Sequence, residues 1–111
     1  MSTPYQIDEA KVTELIKKQL AEHRILIYMK GTLTLPQCGF SSQAVAAIRA
    51  CGKEFTFINI LENPDIRAVL PKYANWPTFP QLYINGELIG GADIILEMHQ
   101  SGELQKAIDN A

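Results

Sequence analysis

The sequence has only two cysteines, Cys38 and Cys51. Two cysteines cannot build the dense disulfide framework of a small secreted domain, so we expect a reducing compartment, the cytoplasm. Cys38 lies in the segment PQCGFS at residues 36–41, where Ser41 takes the place of the second cysteine of a C-x-x-C redox motif. Cys38 must therefore find its partner, a thiol or a metal, outside this chain.

An excess of charge and a long apolar run are also missing. The formal net charge of the 111 residues is -2, which excludes the basic footprint of a nucleic-acid-binding protein. Residues 1–11 lack the apolar core of a signal peptide, and the apolar run 25–29 is too short to span a bilayer. We therefore expect no nucleic acid or membrane partner. The length predicts a single domain, residues 1–111.

Hydrophobic periodicity predicts alternating helices and strands. In the first helix Asp8 is the predicted N-cap, and Glu14 faces Lys18 for an ion pair. Strands on either side of one helix imply a parallel crossover, and the last two strands an antiparallel hairpin. This order is typical of an α/β, thioredoxin-like fold, a four-stranded mixed sheet flanked by helices on both faces. The predicted elements are helix 8–22, strand 24–29, helix 39–51, strand 54–60, a helix from 63 interrupted at Pro71, strands 80–84 and 87–89 around Asn85-Gly86, and helices 93–100 and 103–108.

The position of Cys38 favours an ionised sulfur. A helix N-terminus offers unpaired N–H groups and a positive dipole end worth about 0.3–1 kcal/mol, up to about 2. One pKa unit corresponds to about 1.36 kcal/mol. Lys30 at the end of the first strand adds a positive charge, so we expect a reactive thiolate near neutral pH. The alternative is that Cys38 is a small buried hydrophobic residue.

Cys51 would lie about 20 Å from Cys38 along one helix, which is too far for a disulfide. We expect it to pack. A [2Fe-2S] cluster normally needs four thiolates, and one chain offers one suitable sulfur. Two chains together with two free thiols such as glutathione would complete the set. A cluster is therefore compatible with these residues only as a shared, solvent-edge site in a dimer.

Four motifs together resemble the monothiol glutaredoxins of the CGFS type, in their short single-domain bacterial form, over residues 8–108. The motifs are KG at 30–31, PQCGFS at 36–41, WPTFP at 76–80 and GGAD at 90–93. The resemblance implies a thioredoxin fold, glutathione binding, and a [2Fe-2S] cluster held between two subunits by Cys38 and glutathione from each. It also implies a homodimer bridged by that cluster, transfer to acceptor apoproteins, and pairing with a BolA-like protein.

The resemblance also implies roles for individual residues. Lys30 and Arg67 would lie near the glycine carboxylate of glutathione, and Lys72 is a weaker candidate. The turn from Gly90 to Asp93, with Gly91 and Ala92 between them, would hold the γ-glutamyl end of glutathione. Its N–H groups would bind the carboxylate, and Asp93 would pair with the amine or cap the helix. Some relatives carry a cysteine at the place of Ala92. The site is completed by Thr78 and by the backbone of Phe79, which would pair with the tripeptide beside a cis Pro80, with Cys38 as the catalytic and metal-ligating residue.

The other aromatic residues and the histidines are predicted to be structural. Trp76 and Phe40 are expected in the core or at an interface rather than at a ligand. Tyr28, Tyr73 and Tyr83 are expected to be half-buried, and His23 and His99 to lie on the surface.

Three functions remain open from the sequence. The leading one is an iron–sulfur carrier, a glutathione-dependent homodimer that accepts and donates a [2Fe-2S] unit. The alternative is a glutathione-dependent thiol-disulfide oxidoreductase that removes glutathione from mixed disulfides. We expect this activity to be weak, because the inserted segment 31–35 could hold glutathione in an unfavourable position for attack by Cys38 on the mixed disulfide. A third is a binding module that presents the Cys38 face to a regulatory partner.

Overall fold

The computed structural model describes residues 6–111. The prediction that residues 1–11 carry no signal-peptide core therefore lies partly outside the described residues, and a single domain over residues 1–111 stays a prediction. The elements follow the predicted order. They are α1 (Glu9–Glu22), β1 (Ile25–Met29), α2 (Gly39–Ala50), β2 (Thr56–Asn59), α3 (Pro64–Ala74), β3 (Gln81–Ile84), β4 (Glu87–Gly90), α4 (Ala92–Ser101) and α5 (Glu103–Asp109).

The four strands form one mixed sheet in the order β2-β1-β3-β4. Strand β1 runs parallel to β2 and antiparallel to β3, and β3 and β4 form an antiparallel hairpin. Every residue of β1 is buried, which explains its continuous apolar run. The predicted thioredoxin-like class is confirmed.

Helices cover both faces of this sheet, because side chains along a strand point alternately to opposite sides. Ile25, Ile27 and Met29 pack with residues of α2, α4 and α5 in one core cluster. Leu26 and Tyr28 pack with residues of α1 and α3 in the other. The second cluster lies beneath the helix that carries Arg67, and the first beneath the helix that begins after Cys38.

Several of the predicted helix ends and turns are found in the structure. Asp8 caps α1, since its carboxylate accepts a hydrogen bond from the Lys11 N–H at 3.2 Å. Asn85 and Gly86 turn the β3–β4 hairpin with positive φ values of 51° and 80°. Gly52 follows the end of α2 with a φ of 74°. Pro64 is the first residue of α3 and Asn63 is its N-cap residue, but the Asn63 side chain makes no capping hydrogen bond and donates instead to the Asn59 carbonyl at 2.8 Å.

The ion pair predicted on α1 is wrong. Glu14 lies 3.6 Å from Lys17 rather than pairing with Lys18. Lys18 pairs with Glu22 instead, at 3.9 Å. Both spacings, i,i+3 and i,i+4, bring helical side chains together, so the sequence alone could not choose between them.

The interruption predicted at Pro71 is also wrong, because α3 continues through it to Ala74. Pro71 cannot donate to the carbonyl four residues earlier, but it lies in the last turn, where few bonds depend on it. Its own carbonyl accepts from the Trp76 N–H at 3.0 Å. The helix then ends at Asn75 in a left-handed conformation, with a φ of 52°.

Two of the three tyrosines are more buried than predicted. Tyr28 and Tyr83 are buried, and their rings meet edge to face at a centroid distance of 5.7 Å. The Tyr28 hydroxyl donates to Gln19 at 2.8 Å and the Tyr83 hydroxyl donates to Gln81 at 2.9 Å. Burial raises the pKa of Tyr83 to about 12 and also raises that of Tyr28. Tyr73 is exposed.

The surface position predicted for the two histidines is found for one of them. His99 is exposed, as predicted. His23 is half-buried, and its Nδ1 lies 3.3 Å from the Thr56 hydroxyl, so the prediction of a surface position is wrong for this residue.

Within residues 6–111, no helix is both long enough and apolar enough to cross a membrane.

Candidate functional site

Cys38 is the N-cap residue of α2, as the sequence indicates. Its position is fixed by Ser41, whose side chain is fully buried and whose hydroxyl accepts a hydrogen bond from the Lys30 N–H at 3.1 Å. The Gln37 N–H donates to the Lys30 carbonyl at 2.9 Å. Lys30 is thus tied to both sides of the cysteine, and Ser41 has a structural role at the place of a second thiol.

The surroundings of Cys38 favour its thiolate. They lower the pKa of the thiol, mainly through the backbone N–H of Ser41, with smaller contributions from the Phe40 N–H, the Lys30 charge and the Ser41 hydroxyl, against a partial desolvation that raises it. The sulfur makes no capping hydrogen bond as a thiol. These first-turn N–H groups are therefore available to it when it ionises. Cys38 is half-buried rather than enclosed in the core.

Cys51 has the opposite environment. It lies at the C-terminal end of α2 with 6% of its surface exposed, and its thiol donates to the Ala47 carbonyl at 3.5 Å. Burial raises its pKa, and the negative charge of Asp109 adds to this. The prediction that Cys51 packs is confirmed. Both cysteines are free.

One cavity of about 700 Å³ opens beside Cys38. This volume lies within the range of about 300–1,000 Å³ that small-molecule sites occupy. All the residues predicted for the site reach it, although they come from distant parts of the sequence. They are Cys38, Lys30, Arg67, Thr78, Phe79, Gly91, Ala92 and Asp93.

The cavity contains charges of both signs. Lys30 and Arg67 supply two cations, and neither forms an ion pair within residues 6–111. Lys72, the weaker candidate, is not part of the lining, and its ammonium lies 2.7 Å from the Glu9 carboxylate. Asp93 supplies the negative charge; it is exposed and has no ionic partner in the described part of the chain.

The first turn of α4 forms one wall of the cavity. Its N-cap is Gly91, so the alternative prediction that Asp93 caps this helix is wrong. Asp93 lies inside the first turn, next to the buried Ala92. A glycine cap has no side chain to bond the first N–H groups of the helix, and the residues of this turn line the cavity, where such N–H groups can serve as donors for an anion.

The segment 76–80 lines the cavity next to this turn, because Trp76 and the Pro80 carbonyl lie against Gly91. The Phe79–Pro80 peptide bond is cis, as predicted. Thr78 is exposed and Phe79 half-buried. In the described range, the Phe79 N–H donates no hydrogen bond to another residue, so this backbone donor is free to pair with a ligand.

The apolar part of the lining includes Trp76 and Phe40, which the sequence predicts in the core, at an interface or, for a binding module, around the Cys38 site. Phe40 is 59% exposed. Sequence reasoning missed other apolar residues of the lining. The signal for Pro71 is its i,i+4 spacing from Arg67, which places the two on one helical face. Additional lining residues are Pro71, Pro77, Pro80 and Ile94.

Reactivity at Cys38 should follow its lowered pKa. Alkylation by iodoacetamide requires the thiolate. A lowered pKa populates it at lower pH, so the rate should rise through a midpoint below that of an ordinary cysteine. Cys51, with a raised pKa and little exposure, should stay unmodified in the folded protein. Mass spectrometry after timed alkylation between about pH 5 and 10 measures both.

Two lysine variants test the cause of this shift. Lys30→Met should move the midpoint upward, because it removes a cation that favours the thiolate. Lys72→Met is the matched control, since Lys72 lies outside the cavity. Equal midpoints in both variants and the parent would contradict the role given to Lys30.

No group of three or more His, Cys, Asp or Glu side chains in residues 6–111 is arranged to hold a metal ion. Cys38 is the one thiol of the cavity.

Comparisons with known proteins agree with this site. The sequence model of the family described as Glutaredoxin matches residues 25–89. Glutaredoxin 4 of Escherichia coli K12 is 64% identical over 95 residues, which cover 86% of this chain and 83% of that protein. The solution structure of reduced poplar apo GrxS14 is 43% identical, with a TM-score of 0.77 over 89% of this chain and 91% of that one.

The buckwheat glutaredoxin–glutathione complex matches with a TM-score of 0.80 over 92% of this chain and 91% of that one, and its 20% identity makes this a likeness of fold. The sequence and fold agree with these matches, and the chain belongs to the glutaredoxin family, in its monothiol form.

Proposed function

We propose that this glutaredoxin binds glutathione in the cavity beside Cys38 and carries a [2Fe-2S] cluster between two subunits for delivery to acceptor apoproteins. The observation that carries the proposal is a half-buried sulfur with a lowered pKa at the edge of a cavity with two cations and one carboxylate that have no ionic partner among residues 6–111. A cytoplasmic location, which keeps such a thiol reduced, belongs to the same proposal.

The charges of the cavity match those of glutathione. The tripeptide carries two carboxylates, one ammonium group and one thiol. Lys30 and Arg67 would bind the glycine carboxylate, and the first-turn N–H groups of α4 the γ-glutamyl carboxylate. Asp93 would bind the ammonium group. The free Phe79 N–H adds a backbone contact of the kind an extended peptide makes with a strand.

The family matches add support for glutathione as the ligand. The buckwheat glutaredoxin was crystallised as a complex with glutathione, although at 20% identity it shows only a shared fold. The cavity of this chain offers room and complementary charge for the same molecule. Glutathione bound here would place a second thiol next to Cys38.

The ligand count favours a shared cluster. A [2Fe-2S] unit takes four thiolates, and here one chain and one glutathione would supply two. A second copy of this pair completes the set, so the cluster would bridge a homodimer. Because Cys38 is not enclosed, such a cluster would lie at the solvent edge, where an acceptor apoprotein or a BolA-like partner could reach it.

A second function is favoured by the reactivity of Cys38 alone. Its thiolate could attack the glutathione sulfur of a mixed disulfide, which releases the substrate as a thiolate and leaves glutathione on Cys38. A second glutathione would then release the first as glutathione disulfide. We expect this activity to be weak, because the loop 31–35 projects beside the cysteine, with Leu35 68% exposed.

Anaerobic reconstitution tests the proposal. The protein is incubated with ferrous iron and sulfide, either with glutathione or with 2-mercaptoethanol, a thiol that lacks both carboxylates. We expect visible absorption and a dimer on gel filtration with glutathione, and little of either with 2-mercaptoethanol. Equal cluster uptake with both thiols, or uptake by a monomer, would refute it. Rapid turnover of a small mixed disulfide without cluster uptake would favour the oxidoreductase.

A further inference from the structure

Gln81 is a fully buried polar residue at the start of β3, outside the lining of the cavity. A buried side-chain amide is unfavourable unless its donors and acceptor all find partners. Its partners therefore indicate what it does in the fold.

Every polar atom of the Gln81 amide is used. Its Nε2 donates to the Trp76 carbonyl at 3.0 Å and to the Thr78 carbonyl at 3.2 Å. Its Oε1 accepts from the Tyr83 hydroxyl at 2.9 Å. The two carbonyls can only accept, which fixes the orientation of the amide: the nitrogen must face them. One side chain thus holds two carbonyls of the cavity wall.

The segment 76–80 is packed against its neighbours, with Pro80 buried, Phe79 against the second core cluster and Trp76 beside Gly91, but it has few hydrogen bonds. It belongs to no helix or strand, and its residues Pro77 and Pro80 have no N–H to donate. Among the loop and turn bonds of residues 6–111, its backbone bond to the rest of the chain runs from the Trp76 N–H to the Pro71 carbonyl. The Gln81 amide supplies two further ties, one on each side of Pro77.

We propose that Gln81 is a positioning residue for glutathione. It acts through the carbonyls of Trp76 and Thr78 and holds the Phe79 backbone at the distance from Cys38 at which the tripeptide binds. This inference rests on the proposed glutathione site. It adds that the affinity for glutathione depends on the buried Gln81 amide, which does not contact glutathione itself.

The test compares Gln81→Met with Tyr83→Phe. Methionine keeps the length of the side chain but holds neither carbonyl, whereas Tyr83→Phe removes a hydrogen bond of the same network and leaves both carbonyls held. We expect glutathione affinity, measured by calorimetry, to fall about tenfold or more for Gln81→Met and to stay within about twofold for Tyr83→Phe. Equal losses in both variants, or none in Gln81→Met, would overturn the inference.

A second measurement needs no ligand. Trp76 is the only tryptophan of the chain, so its fluorescence reports on the segment 76–80. Acrylamide should quench it more strongly in Gln81→Met than in the parent or in Tyr83→Phe, and equal quenching in all three would refute the positioning role. If the parent itself does not bind glutathione, the proposed function fails and quenching alone decides the role of Gln81.

Gln81→Asn takes the place of the methionine variant if the latter does not fold. It keeps an amide on a side chain one methylene shorter, which cannot hold both carbonyls in the same geometry. It should show the same two changes in a smaller degree, and parental values in both measurements would overturn the inference.

Discussion

Replacing Gly31 by alanine should lower the free energy of unfolding by about 3 kcal/mol or more. Gly31 has a φ of 97°, which an L side chain rarely adopts. An added Cβ would lie 2.5 Å from both the Gln37 nitrogen and the Leu35 carbonyl oxygen. Both obstacles are backbone atoms, so no rotamer change can relieve the clash. The whole loop would have to open.

The loop cannot open without disturbing the site. The Gly31 N–H donates to the Asn59 side chain at 2.9 Å, and Gly31 pairs with Pro36 in an isolated bridge just before Cys38. The alanine variant should therefore also bind glutathione more weakly, because Lys30 adjoins the displaced backbone.

Gly52→Ala is the matched control for this prediction. Gly52 also has a positive φ, 74°, but an added Cβ there would meet nothing within 4 Å. It should cost about 1–2 kcal/mol, the backbone penalty alone. Urea unfolding followed by circular dichroism measures both variants. Equal losses would show that the close approach of Gln37 and Leu35 does not constrain Gly31.

The fold is predictable because its signals are local. A fully apolar five-residue run bounded by polar residues is typical of a strand buried on both faces, and Asn85-Gly86 is the strongest short signal for a hairpin turn. The termination of α2 at Gly52 rests on the same kind of short-range preference. The conformation of each of these segments depends mainly on the residue itself and its neighbours in sequence, so it can be predicted without knowledge of tertiary contacts.

The features that the sequence could not predict depend on contacts between residues far apart in the chain. The burial of Tyr28 and Tyr83 follows from hydroxyl partners on α1 and β3. Gln81 gives no signal at all, since a glutamine is usually exposed, and its role exists only once the segment 76–80 folds back above it. Buried polar networks of this kind are tertiary features.

The separation of Arg67 from Lys72 depends on α3 continuing through Pro71, which the sequence does not predict. Five residues of helix turn a side chain by about 500°, or about 140° net, so these two cations point to different faces of α3. Only one could line a cavity with Pro71, which is four residues from Arg67. Helical geometry therefore excludes Lys72 from a lining that contains Arg67 and Pro71.

Cys38→Ser should abolish cluster uptake under anaerobic reconstitution, while Cys51→Ser should take up as much cluster as the parent. A serine hydroxyl stays protonated near neutral pH and replaces the thiolate of each subunit with a poor ligand. Cys51 lies at the far end of α2, about 20 Å away, and has 6% of its surface exposed. A serine there could keep the hydrogen bond to the Ala47 carbonyl, so this control should fold normally.

Measuring glutathione binding to Cys38→Ser shows whether the variant has lost only the sulfur or the whole binding site. Cys38→Ser retains Lys30, Arg67 and Asp93, the charged groups assigned to the tripeptide, so its affinity for glutathione should stay within a few-fold of the parent's, about 1 kcal/mol or less. A variant that binds glutathione, melts like the parent and stays colourless after reconstitution would assign the cluster to the Cys38 sulfur. A Cys38→Ser protein that turned brown as readily as the parent, or a Cys51→Ser protein that failed to, would remove that sulfur from the proposed function.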